Sequence, residues 1–407
     1  MPSIALDEFI ARARAVTVAE AAVLAGYRVG AREWAGPCPR CGGVDRFSIN
    51  ARKQVFNCRE CGGGRDGIGL MAHVRGFDVQ ARAGFLEACA AALGEPVPEG
   101  AERLSDAERE ASAARLAQMR AESAVRAEEE ERRRDEHRRR EMERARAIYL
   151  QAAEAGDDVL DYLRLRTGFA MPDAIFEHLR YSSAHPLWHG ADGQGSPVVV
   201  HRGPAIIAPF VAPDGSITGC HETWIALGTR PRFRPAIVDG AGKIVPSKKM
   251  RGGKMGSLIP VLGQPSAACW AIGEGIENVA AFAGAQGFPE HVFFAAAGDL
   301  GNMAGPAEPA SFFPHPELKT EAGRARRVPG PVPRAGSGAG EAVHVPDHVT
   351  KLFLLADGDS EIVFTASAME RACTRHARKG RHITVCWPPD REDFASALAV
   401  RMQDINE

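Results

Sequence analysis

Two groups of residues have the types and spacing to do chemistry. The first is Cys38-Pro39-Arg40-Cys41 followed by Cys58-Arg59-Glu60-Cys61, two Cys-x-x-Cys pairs sixteen residues apart. That separation lets two thiolate knuckles close one tetrahedron around Zn²⁺. Four thiolates leave no open position, so the metal is expected to be structural. Its binding, roughly 10–16 kcal/mol, would supply much of the folding energy of so small a unit. A redox dithiol would need no matched second pair. The second group is acidic: Gly273-Glu274-Gly275-Ile276-Glu277 and Asp357-Gly358-Asp359, each directly after a short apolar run. If both runs are strands of one parallel sheet, the acids share its C-terminal edge, where open α/β sheets bind ligands. The glycines allow tight turns and the close approach of a phosphate. Hard oxygen donors of this number suit Mg²⁺ or Mn²⁺ shared with substrate phosphates. The competing reading is that acids at turns are merely solvated.

A third cluster is basic. Lys248, Lys249, Arg251 and Lys254, interrupted by Gly252-Gly253, lie shortly before the first acids and could contact template or nucleotide phosphate. They do not form a Walker loop, because Gly252-Gly253-Lys254-Met255 lacks the leading glycine spacing and the Ser or Thr after Lys. A solvated loop is the alternative.

The elements that must position these groups follow from periodicity. Residues 4–25 read as helical, with Thr17 as an N-cap and Gly26 as terminator. Residues 46–49 and 54–57 alternate around a turn and predict a two-stranded ribbon carrying the cysteines. Residues 67–93 have helical spacing and cap it. From 98 to 147 the chain is Ala, Glu and Arg with no apolar stripe, which predicts a charged, solvated helical linker. Residues 148–262 form a mixed α+β domain with a hairpin across Pro213-Asp214-Gly215. Strand, helix, strand then recurs over 268–296 and 351–386, which specifies a parallel α/β sheet. The stretch 304–346, rich in Pro, Gly and Arg and without periodicity, is expected to be a loop or disordered insertion. The domains are therefore 1–97, 98–147, 148–262 and 263–407.

Composition sets the outer limits. At 407 residues, with 45% hydrophobic and 25% charged residues, the chain is long enough for several domains and too apolar for general disorder. A formal charge of −2 supplies no bulk cationic field, so any nucleic-acid binding must come from local patches. No apolar run approaches the roughly 18 residues of a membrane span, and Asp7, Glu8, Arg12 and Arg14 argue against a secretory leader, so a cytoplasmic location is expected. Five further cysteines stand alone in apolar contexts, as buried thiols do in a reducing compartment.

The cysteine segment, from Cys38 through Arg46-Phe47-Ser48 to Cys61-Gly62, resembles the N-terminal zinc-binding domain of bacterial and phage primases. In that family the ribbon engages single-stranded template. The resemblance therefore implies Arg46, Phe47, Phe56 and Arg59 as a stacking and phosphate-contact face; for the two aromatics a contact inside the ribbon is the alternative. The acidic pattern resembles the Toprim domain over residues 268–398, with Glu274 matching the family Glu and Asp357 and Asp359 its Asp-x-Asp. This implies catalytic Mg²⁺ or Mn²⁺ on these three residues. Asp393-Phe394-Ala395-Ser396 resembles a third family element but lacks its second acid, so Asp393 is either metal-directed or a helix N-cap. Tyr149-Leu150, Asp161-Tyr162-Leu163 and His221-Glu222-Thr223-Trp224 resemble the bridging domain of mobile-element primases. Together these imply a DNA primase of the DnaG-like, phage type from a mobile genetic element, using single-stranded DNA and nucleoside triphosphates, with a helicase in trans. A Toprim nuclease and a non-catalytic single-stranded-DNA-binding accessory remain as alternatives.

Overall fold

The computed structural model describes residues 4–30, 33–58, 61–98, 106–192, 194–319, 325–336, 338, 340–389 and 392–399. The chain divides into two compact units, residues 1–134 with 316–326, and residues 135–315 with 327–407.

The first unit opens with α1 (Ile4–Ala15) and α2 (Val18–Leu24). Thr17 caps α2 in a reciprocal capping box with Glu20, which splits the expected helical stretch in two. Then come β1 (Trp34–Cys38), β2 (Gly42–Asn50), β3 (Val55–Cys58) and β4 (Gly62–Gly64), followed by α3 (Gly67–Arg75) and α4 (Arg82–Leu93). The ribbon has four antiparallel strands in the order β1-β2-β3-β4, not two. The added strands carry little side-chain alternation: β4 is three glycines and β1 contains Gly36 and Pro37. Phe47, Ile49 and Phe56 pack with Phe9, Leu70 and Met71 in one small core. The charged stretch is a single helix, α5 (Asp106–Gln151), exposed along most of its described length.

The second unit continues with β5 (Ala153–Glu154), α6 (Asp157–Thr167), β6 (Arg180–Ala191), β7 (Pro197–Val211), β8 (Ile217–Trp224), a minor hairpin of β9 (Ile237–Val238) and β10 (Ile244–Val245), and β11 (Lys248–Gly252). These build an antiparallel sheet ordered β11-β8-β7-β6-β5. The elements after it are β12 (Ile259–Leu262), β13 (Cys269–Gly273), α7 (Ile276–Ala285), β14 (Val292–Ala296), α8 (Leu300–Ala304), β15 (Phe313–Lys319) and β16 (Ala325–Val328), of which residues 316–319 and 325–326 are counted with the first unit, then β17 (Lys351–Leu355), α9 (Ile362–His376) and β18 (His382–Cys386). The second sheet runs β12-β14-β13-β17-β18, parallel except for β12. Both faces are covered, as the near-continuous apolar strands require. Cys269, Ala271 and Phe294 pack against α7, while Trp270, Ile272, Leu352 and Leu354 pack against α8 and α9.

The α7 side of this sheet shares one core with Ile206, Ala208 and Phe210 of β7, so apolar packing runs without a break across residues 262 and 263. The described part of 304–346 is not loop throughout: β15 and β16 form a hairpin, and in the stretches without strand Ala342, Val343 and Val345 are buried. It is held by non-periodic contacts, which no periodic pattern reports. Among the described residues no helix is long and apolar enough to cross a membrane.

Candidate functional site

The structure brings the four cysteines together. Cys38, Cys41, Cys58 and Cys61 place their sulfurs within 4.8 Å of one another, the donor set of a closed Zn²⁺ site. Both knuckles turn backbone amides inward: Arg40 N donates to Cys38 Sγ and Cys61 N to Cys58 Sγ, each at 3.4 Å. His73 of α3, which sequence reasoning missed, is buried with Nε2 3.2 Å from Cys38 Sγ and its ring stacked on Phe47 at 5.0 Å. Burial lowers its pKa, with Arg40 adding to the effect, so it is neutral and can hold its ring N–H toward the sulfur. The sole sequence signal is a histidine in the first helix after the ribbon.

Phe47 and Phe56 are 0% and 5% exposed, so they belong to the ribbon core and offer no stacking face. Arg46 is half-buried and folds over Gly43, where a Cβ would stand 2.5 Å from its Cδ. Arg59 lies outside the described residues.

In the second unit, β13 and β17 are neighbours and run the same way, so Glu274 and Asp357 emerge side by side at one sheet edge with Asp359 just beyond. Burial, followed by the charges of Asp357 and Asp359, pushes the Glu274 pKa up to about 7. Burial likewise raises Asp357 to about 6; Ser360 Oγ, donating to Oδ2 at 2.7 Å, opposes this and Asp359 reinforces it. Glu274 Oε2 is buried with no hydrogen-bond donor on it. Three mutually repelling carboxylates with an unsatisfied buried oxygen form an electrostatic deficit that a hard divalent cation fits. Among the described residues only the cysteines form a group of three or more such side chains at ligand spacing, and the three carboxylates do not.

Backbone and side chains fix these acids. Ala297 N donates to Gly273 O and Gly298 N to Glu274 O, tying the turn to the end of β14. Gly358 lets the C-terminal segment close over the second turn, since a Cβ there would meet Glu392 O at 2.2 Å and Pro388 Cγ at 2.7 Å. Asn278 of α7 donates weakly to Asp357 Oδ1 at 3.5 Å and accepts from Ala395 N at 3.3 Å. Asp393 is an N-cap: it accepts from Ser396 N at 2.6 Å at the start of a helix over 394–399, and its other oxygen lies 3.7 Å from Arg166.

The pleat of β11 splits the basic cluster. Lys248 pairs with Thr223 and Arg251 with Cys220, so Lys248 lies on the face shared with His221 and Thr223, and Lys249 and Arg251 on the face of Cys220, Glu222 and Trp224. Lys248 Nζ meets Glu277 Oε2 at 2.8 Å and lines, with His221 and Glu274, a cleft of about 240 Å³. Arg251 Nε donates to the fully buried Glu222 at 2.6 Å, and Lys249 Nζ to Trp188 O at 2.6 Å. Lys254 pairs with Asp299. Lys249 also lines the cleft, but of the four it is Lys248 whose ammonium meets a carboxylate there, that of Glu277.

Glu277 is 5% exposed and also accepts from Tyr162 Oη at 2.7 Å. Burial alone would raise its pKa, but Lys248 and Arg234 with these hydrogen bonds hold it well below the carboxylate range. His221 is lowered to about 3 by burial and then by Lys248, so it faces the cleft neutral. The sequence spacing of Tyr162, Lys248 and Glu277 gives no sign that they meet.

Residues 139–260 match a family described as a domain of unknown function, DUF7146. No match to a curated protein sequence was found. Among solved structures the chain is similar to a DNA primase domain from Pseudomonas aeruginosa, at 12% identity and TM-score 0.34 over 64% of this chain and 74% of that one. It is also similar to the DnaG catalytic core, at 13% and 0.33 over 65% and 74%, and to the DnaG primase catalytic domain bound to ssDNA, at 14% and 0.34 over 66% and 82%. Scores this low carry no assignment of a site, which rests on the residues themselves.

Proposed function

We propose that the chain is a DNA primase-like nucleotidyltransferase that makes short primers from nucleoside triphosphates on single-stranded DNA, with Glu274, Asp357 and Asp359 acting as the acids of a Toprim-type site. One observation carries this reading: burial and neighbouring aspartates raise the pKa of two acids at adjacent parallel strand ends, and a buried Glu274 oxygen is left without a donor. A bound Mg²⁺ or Mn²⁺ would align phosphates and offset the charge that develops in phosphoryl transfer. The chain's own residues do the rest. Glu277 and Tyr162 hold Lys248 at the wall of the cleft, from which its ammonium can reach a substrate phosphate. His221, kept neutral, adds no competing charge. Lys249, Arg251 and Lys254 are engaged with protein partners and have supporting roles in this reading. The zinc ribbon supplies the template contact through its exposed rim and not through Phe47 or Phe56. The reading includes replication of a phage or mobile element with a helicase in trans.

The test is primer synthesis with labelled nucleotides on single-stranded templates, with Mg²⁺ or Mn²⁺. Product is expected from the parent chain and is lost in Glu274→Ala and Asp357→Ala; parent-level product from either variant removes these acids from catalysis. Metal-dependent cleavage without triphosphates would instead mark a nuclease, and strand binding with neither reaction an accessory.

A further inference from the structure

Beyond the end of β14 lies a cavity of about 970 Å³, at the upper end of the range for small-molecule sites. Its walls are the loop before β12 with Lys254 and Met255, Asp299 after β14, and the insertion between β14 and β17. These walls are pinned. Asn302, fully buried, donates to the carbonyls of Lys254, Ser257 and Ala297 and accepts from Gly256 N. Across the insertion Glu308 N donates to Val332 O at 2.8 Å and Arg334 N to Pro306 O at 2.9 Å, while Ser367 Oγ of α9 donates to Pro329 O at 2.7 Å. A cavity held open in this way is preformed.

Its chemistry is specific. Arg371 of α9 lines the cavity and is 5% exposed. Its Nε donates to Gly305 O at 2.9 Å, and its Nη1 to Pro329 O at 3.1 Å and Gly330 O at 2.6 Å. These partners are carbonyl dipoles. No carboxylate faces this guanidinium among the described residues, and Nη2 takes no part in the three bonds. A full positive charge buried without a counter-charge is costly, and an anion in the cavity would offset it. Of the other charged groups on the walls, Lys254 is matched with Asp299 and Arg334 with Glu341, while Arg327 meets the Phe312 ring. The same cavity offers the half-buried Phe312 ring with the Arg327 guanidinium 5.8 Å from its centroid, beside Met255 and Pro309. An aromatic face with an adjacent guanidinium suits a planar base.

We propose that this cavity is a nucleotide-binding site, with a phosphate toward Arg371 and the base against Phe312. It goes beyond primer synthesis at the acidic edge, because it requires neither the three carboxylates nor a metal. Its ligand is a nucleotide unit, supplied either free or as part of a strand.

The experiment uses the full chain in EDTA with two probes, ATP and an oligothymidylate. Affinity is read by equilibrium dialysis, and location by 8-azido-ATP labelling and peptide mapping. Label is expected on the segments 306–312 and 327–334. Met255→Trp, which fills the cavity from a residue 45% exposed, and Phe312→Ala are each expected to weaken binding at least tenfold. Arg371→Met should do the same if it folds; the other two variants stand without it. Glu274→Gln should leave this binding unchanged even when it cuts primer synthesis about a hundredfold, so each reading can fail alone. Tighter binding of the oligothymidylate than of ATP, with the same loss in Met255→Trp, identifies a strand nucleotide; the reverse order identifies a free one. Label elsewhere, unchanged affinity in Met255→Trp, or inorganic tripolyphosphate competing as well as ATP while Phe312→Ala is silent overturns the proposal.

Discussion

At the scale of single residues the acidic edge makes a signed prediction. Glu274 has a folded pKa of about 7 against an ordinary 4.5, and Asp357 about 6 against 3.8. A group whose folded pKa is raised adds stability below its unfolded value and loses that contribution as pH rises through the folded one. Metal-free protein should therefore lose stability between about pH 4 and pH 7 from this source. Mg²⁺, which competes with these protons, should raise the melting temperature more at pH 8 than at pH 6; a gain independent of pH would remove the carboxylates from metal binding. Glu274→Gln should melt no lower than the parent in EDTA at pH 8 while cutting primer synthesis roughly a hundredfold, as expected when one transition-state stabiliser is removed. Glu277 behaves in the opposite way, since it is buried, ionised and paired. Glu277→Leu leaves Lys248 beside Arg234 without its counter-charge and should cost about 3–5 kcal/mol in urea unfolding, against about 1–3 kcal/mol for Tyr162→Phe. Near-equal small losses would show that the three do not act as one buried network. The acids were legible in the sequence because Gly-flanked carboxylates directly follow apolar runs. Lys248, Glu277 and Tyr162 were not legible as a cluster, because contacts across 29 and 115 residues leave no periodic mark.

At the scale of elements, legibility tracks how completely side-chain alternation encodes an element. β13, β14, β17 and β18 could be placed from short apolar runs bounded by turns, and their pairing is parallel as the intervening helices require. β4 could not, since three glycines display no pattern, and its place comes from backbone pairing with β3. The basic cluster shows the reverse failure. Four cations close in sequence look like one patch until the pleat assigns alternate ones to opposite faces. Gly358 gives the element-level test. A Cβ there would meet backbone at 2.2 Å, so Gly358→Ala should displace Pro388 and Glu392 and cost about 1–3 kcal/mol, read as faster amide exchange over 392–399. Unchanged exchange would mean that the segment is not held by this contact. In the ribbon, His73→Ala should weaken Zn²⁺ about 10–100-fold by removing the partner of Cys38, measured by competition with a chromogenic chelator.

At the scale of the whole molecule, each unit has its own core, and only the first contains the cysteine cluster. Chelation should release amide exchange over residues 33–98 and leave β13 and β17 protected; loss of protection in both would tie the parallel sheet to the metal. The acidic edge draws on Tyr162, Lys248, Glu274, Glu277 and Asp357, and the Asp357 turn is covered by the segment around 392–396 through Gly358, Asn278 and the Asp393–Arg166 pair. Domains fold as they leave the ribosome, N-terminal parts first. The four-cysteine ribbon can thus be made well before the carboxylate edge, which waits for its cover until translation has passed residue 396. A nascent chain stalled before that point would display a finished metal ribbon and an unshielded pair of repelling acids. The order of synthesis itself thereby leaves the acidic edge uncovered until residue 396 has been made.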